Sequence, residues 1–245
     1  MVNWLQKTAQ TKYARNAIQL PQEVIQQLPQ IVKTIVDYFS DPATKNDGQF
    51  QNVATLQFTN PITNTPKQVM IWAERDTVVG KDKGATNNTQ TIQVYPTNPT
   101  GPESYQDIYV NIYHELVHCI DPKQNTDSDY NKPYDRSSGG LAGNENTADY
   151  YRQPAEFDAF SSSIIDKQVR YLNMLQTKDP NKLSVELRRL LDFLRSPEKQ
   201  PTAPTQILYD TSSAWQNWIG SPLMRQFKQR LYSAVAPFTQ NAQGK

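Results

Sequence analysis

Histidine occurs only twice in 245 residues, at positions 114 and 118, with Glu115 beside the first in YHELVHC (113–119). Residues four apart stand on one face of an α-helix, so both imidazoles can turn a nitrogen onto one cation. Projected at about 100° per residue, Asp107, Asn111, His114, His118 and Asp121 fall in one narrow stripe. Tyr109, Ile112, Tyr113, Leu116, Val117 and Ile120 cover much of the remaining circumference. A helix buried on most sides thus keeps a polar stripe centred on the two histidines. Glu115 lies about 100° round from His114, where it can reach a metal-bound water without replacing a ligand. The competing readings are a chance five-letter pattern and a remnant that keeps the shape without the chemistry.

HELVH at 114–118 resembles the zincin class of metallopeptidases, and the likeness extends over about residues 68–176. The resemblance implies a helix packed under a small sheet and a bound Zn2+. It implies His114 and His118 as zinc ligands and Glu115 as the general base acting on a metal-bound water.

Catalytic zinc takes three protein ligands and leaves one position for water. There is no third histidine, so the HExxHxxGxxH layout is excluded and a carboxylate is expected to complete the set. Cys119 projects about 140° from His114 and is expected in the core. Glu156 is the leading candidate, in the first turn of a helix whose dipole favours a carboxylate there. Phe160, Ser163 and Ile164 share its face, and a carboxylate pointing into such a surface needs a cation. The bland reading of Glu156 is a helix N-terminal charge. Asp121 and Glu145 are the alternatives, Asp121 fitting better as a helix-end contact or as a group that holds a ligand histidine. Asp158 projects about 160° from Glu156 and is expected to be structural.

The order of HExxH, loop and glutamate-bearing helix resembles the gluzincins, and PAEFDAF (154–160) is similar to the E-x-x-A stretches of their second helix. The chain is also similar to the small ImmA/IrrE-like zincins found with phages and mobile elements. It departs from them in the 37 residues (119 to 155) between His118 and Glu156, and in lacking Asn before that glutamate. The family further implies a donor that shares the charge of an oxyanion. Tyr151 is the candidate named for it, with Tyr150, Arg152, Tyr130 and Tyr134 as other choices. In DSDYNKPYD (127–135), Asp127, Asp129, Asn131 and Asp135 match oxygen positions of a calcium loop. Lys132 and Ser138 stand where that loop needs Gly and Glu, so a solvated turn is the default.

The elements that must position these groups follow from periodicity. In LPQEVIQQLPQIVKTIVDYF (20–39), Val24, Leu28, Ile31, Ile35 and Phe39 recur at helical spacing, with Pro29 expected to kink the helix or mark its start. VATLQF (53–58), QVMIWAE (68–74) and TIQVYP (91–96) read as strands separated by turn-rich NPITNTP and GKDKGATNN. TIQVYP is the strand suggested as an edge for an extended peptide. The HExxH helix ends at Pro122, and a polar segment spans 123–152. Helices then follow over 154–176 and 183–195, the second burying Leu187, Leu190, Leu191 and Leu194. After a linker at 196–205, two more helices are expected at roughly 205–219 and 222–235. The expected class is α+β: a small, mostly antiparallel sheet over the HExxH helix, then a largely helical C-terminal part. Residues 1–245 are read as one zincin-like domain, with a helix-plus-sheet lobe to about 104 and a helical lobe from about 105.

The charge balance is close to even, with 25 basic and 24 acidic side chains, and no block of one sign suggests nucleic acid or an anionic membrane. No run of 18 apolar residues and no signal-peptide pattern is present, and one cysteine forms no internal disulfide. These features lead to the expectation of a cytoplasmic or intracellular protein, with association with a virion as a variant. The expected function is a zinc-dependent metallopeptidase acting on a peptide or protein substrate. The alternatives are a non-catalytic zincin scaffold with a structural or regulatory role, and a zinc amidase. Oligomeric state is not legible.

Overall fold

In the computed structural model, which describes residues 18–41, 50–74, 84–88, 90–94, 102–121, 150–151, 153–202, 205 and 213–241, the chain divides into two compact units. One is Gln19–Asn131; the other joins Met1–Ile18 with Lys132–Lys245.

The first unit begins with helix α1, Gln22–Ser40, which buries Val24, Leu28, Ile31, Val32, Ile35 and Phe39 along one face. Pro29 lies inside this helix and does not start it. A proline in a helix interior costs about 3 kcal/mol, but each of six buried apolar side chains returns about 1.5–3 kcal/mol. Pro29 sits on the exposed side, so its ring displaces none of that packing.

Four strands follow: β1 (Phe50–Thr59), β2 (Pro66–Glu74), β3 (Gly84–Asn88) and β4 (Thr91–Val94), arranged β1-β2-β4-β3. The β1/β2 and β3/β4 pairings are antiparallel and β2/β4 is parallel, so the sheet is mostly antiparallel as expected. Alternation puts Leu56, Phe58, Val69, Ile71, Ala73, Ile92 and Val94 on the buried face. Two expectations are corrected here. Gly84–Asn88, read as part of a turn, is a strand, although its residues are poor strand formers, because β4 pairs with it as a hairpin. Thr91–Val94 is not an edge: it lies between β2 and β3, and β1 and β3 are the outer strands.

Helix α2, Pro102–Ile120, carries the HExxH residues and packs against α1 and across β3 and β4. The β1–β2 turn holds its far end. Asn60 is buried there and donates from Nδ2 to the Ile120 carbonyl at 2.9 Å, one of the carbonyls a helix C-terminus leaves open. The Asn60 Oδ1 meanwhile accepts from the Ile62 N–H at 2.8 Å, and Asn64 turns the chain at φ 56°.

The second unit is helical in its described residues, with α3 (Pro154–Lys178), α4 (Pro180–Arg195), a 3-10 turn (Ser213–Trp218) and α5 (Pro222–Asn241). Its core joins Phe157, Ile164, Leu172, Leu190, Phe193, Trp218, Phe227 and Leu231. On α4 the buried residues are Glu186, Leu187, Leu190, Phe193 and Leu194. Leu191 is only half-buried, because Phe193 takes the inward position beside Trp215 and Phe227. The helix expected at 205–219 is, in its described part, the six-residue 3-10 turn, and the last helix runs six residues past the expected 235, to Asn241. Gly220 links the two with φ +74°, a conformation that L side chains rarely adopt.

Lys228 on α5 is buried, with Nζ donating to the Ser196 carbonyl at 2.7 Å and to its Oγ at 3.1 Å, and standing 4.9 Å from the Phe193 ring centroid. Burial pushes this ammonium down from an ordinary 10.5 to about 8, against an opposing pull from Glu198. Between those values the unfolded chain holds a proton that the folded chain has released, so stability rises with pH across that window. Relative to Lys228→Met, which cannot titrate, the parent is expected to gain stability between pH 8 and 10.5. Urea unfolding at both ends of the range reads this; a pH-independent difference rejects it.

Candidate metal centre

Helix α2 forms because its apolar residues surround it. Ile108, Tyr109, Val110, Ile112, Tyr113, Leu116, Val117, Cys119 and Ile120 are all buried. Among them His114 and His118 are also buried, at 6% and 5% exposure. Two imidazoles out of water need partners for their nitrogens, and here they face each other. The Nε2 atoms are 3.0 Å apart and the rings meet edge to face at 4.6 Å between centroids. Two nitrogens bound to one tetrahedral zinc at about 2.0–2.1 Å stand about 3.3 Å apart. A few tenths of an ångström therefore separate this pair from a bidentate cation site.

Glu156 stands in the first turn of α3 and is half-buried. His114 and His118, both in the first unit, offer two nitrogens that could hold a metal ion, and Glu156, in the second unit, offers a carboxylate. Two imidazole nitrogens on one helix suit zinc and several other divalent transition metals, so they limit the metal without naming it.

Glu115 follows His114 on α2 and is half-buried. Cys119 is buried, and burial pushes its thiol up to about 12, Glu115 adding to the rise and Lys67 opposing it. Its burial makes it a core group, as expected. Asp121 is buried just past the end of α2, where its N–H donates to the Val117 carbonyl at 3.1 Å. Tyr151 is half-buried in the helical unit, its ring 4.9 Å from Phe160 and 5.3 Å from Tyr150, while its carbonyl accepts from Trp218 Nε1 at 2.7 Å. Glu145, Tyr130, Tyr134, Arg152 and the 127–135 loop lie outside the described residues.

Asp158 is buried on the side of α3 away from Glu156 and pairs with Arg230 of α5 at 2.5 Å. Sequence reasoning gave Asp158 a structural part but did not find Arg230, nor Asn60 at the end of α2. Asn60 opens a turn-rich stretch, which was its one visible signal; Arg230 had none.

No family model matches the sequence, and no curated protein or solved structure matches it either.

Proposed function

We propose that this chain is a zinc-dependent peptidase in which His114, His118 and Glu156 hold the metal. The observation that carries the reading is the pair of buried Nε2 atoms converging to 3.0 Å on α2, with Glu115 directly after His114. Bound zinc would polarise a scissile carbonyl and bring the pKa of its water toward about 7. Glu115 would act as the general base, taking a proton from the attacking water and passing it to the leaving amine. His114, His118 and Glu156 would supply three ligands, and zinc so held would act as the Lewis acid. Tyr151 remains the side chain proposed to donate to the oxyanion.

The test is metal content together with hydrolysis of generic peptides. One zinc per chain with metal-dependent cleavage is the expected result. One zinc per chain with no turnover on any peptide would replace the enzyme by a non-catalytic scaffold. No bound metal under any condition would remove the centre itself.

A further inference from the structure

The first turn of α3 opens on Pro154, whose ring presets φ, but it has no side-chain cap. Gln153 at the N-cap supplies no side-chain hydrogen bond, and an uncapped first turn leaves backbone N–H groups open and is prone to fray. Yet this turn carries Glu156, whose carboxylate must stay in place to serve as a ligand. The residues after Glu156 are gripped by one side chain of α5. Arg230 donates from Nη2 to Asp158 Oδ1 at 2.5 Å and from Nη1 to Ser161 Oγ at 2.7 Å. Its guanidinium also lies 4.7 Å from the Phe157 ring centroid. Asp158, Ser161 and Arg230 are all buried.

One planar group thus touches residues 157, 158 and 161. These contacts fix both the rotation of the α3 start about its axis and its position along that axis. A buried ion pair is a weak source of stability, since desolvation offsets the attraction, but its directional bonds set geometry well. We infer that Arg230 is a positioning residue for the metal centre, holding the Glu156 turn in register through Asp158. The inference rests on the proposed reading of Glu156 as a ligand, and it makes the C-terminal helix a part of the centre.

The experiment is zinc affinity by chelator competition and the visible spectrum of the Co2+-substituted protein, on the parent, Arg230→Met, Arg230→Lys and Glu156→Gln. Loss of a group that orients a ligand typically weakens metal binding about 10–100-fold. Arg230→Met is expected to fall in that range and to move the cobalt spectrum toward that of Glu156→Gln. Arg230→Lys keeps a charge near Asp158 but loses the fork, and is expected to recover part of the affinity. Arg230→Met leaves Asp158 buried without that cation and can unfold the chain. The double variant Asp158→Leu with Arg230→Met removes both charges and is read in its place. A folded double variant with the parent's affinity and spectrum overturns the inference while leaving the centre intact. A parent that binds neither zinc nor cobalt overturns both.

Discussion

Glu115→Gln is expected to retain the metal and lose peptide hydrolysis by about 10²–10⁴-fold, the usual contribution of a positioned general base. The substitution is nearly isosteric and falls on a half-buried side chain, so it leaves no cavity in the helix that carries His114 and His118. What changes is proton affinity: an amide cannot accept the proton that a metal-bound water must release. The proposed ligands are other residues, so zinc affinity should stay close to the parent's. Initial rates on a peptide, with zinc content measured on the same sample, check the prediction. Unreduced hydrolysis in a zinc-loaded Glu115→Gln chain would remove Glu115 from the mechanism.

The parts of this molecule that could be read from sequence are those in which a local period meets a buried face. Helix α1 was legible from Val24 to Phe39 because its apolar residues recur at helical spacing, and the same holds for the residues that enclose His114 and His118. Strands β1, β2 and β4 were legible from alternation. Strand β3 was not, because Gly84–Asn88 has no apolar alternation and owes its shape to the ladder with β4. Pro29 does not start the helix, because its local penalty is real but smaller than the burial of the face behind it. Within the proposed centre, the two histidines were chosen from their spacing and Glu156 from chemistry, as the carboxylate at a helix start whose face needs a cation. The contacts that hold those helices in place were invisible. Arg230 meets Asp158 across 72 positions, and Asn60 meets the Ile120 carbonyl across 60. A side-chain bond of that range leaves no periodicity or local motif in either partner.

Removing the metal is expected to do more than stop the reaction. Free zinc at a thousand times its Kd stabilises a protein that binds it only when folded by about 4 kcal/mol. In a protein of this size that corresponds to a fall of about 8–16 °C in Tm when a chelator strips the ion. The geometry explains why the folded state should gain the most. His114 and His118 are already buried with their Nε2 atoms 3.0 Å apart, so little of the binding energy is spent on bringing the nitrogens together. His118→Ala removes one of those nitrogens from the last turn of α2 and leaves no second imidazole to replace it, since the chain has only two. Zinc affinity should then fall by more than the roughly 10–100-fold expected for loss of a group that merely orients a ligand. Hydrolysis should drop to background, and the chelator should no longer shift Tm. Calorimetric scans of parent and variant, each with zinc and with excess chelator, separate the outcomes. A chelator shift of equal size in both proteins would place the stabilising ion somewhere other than the two histidines.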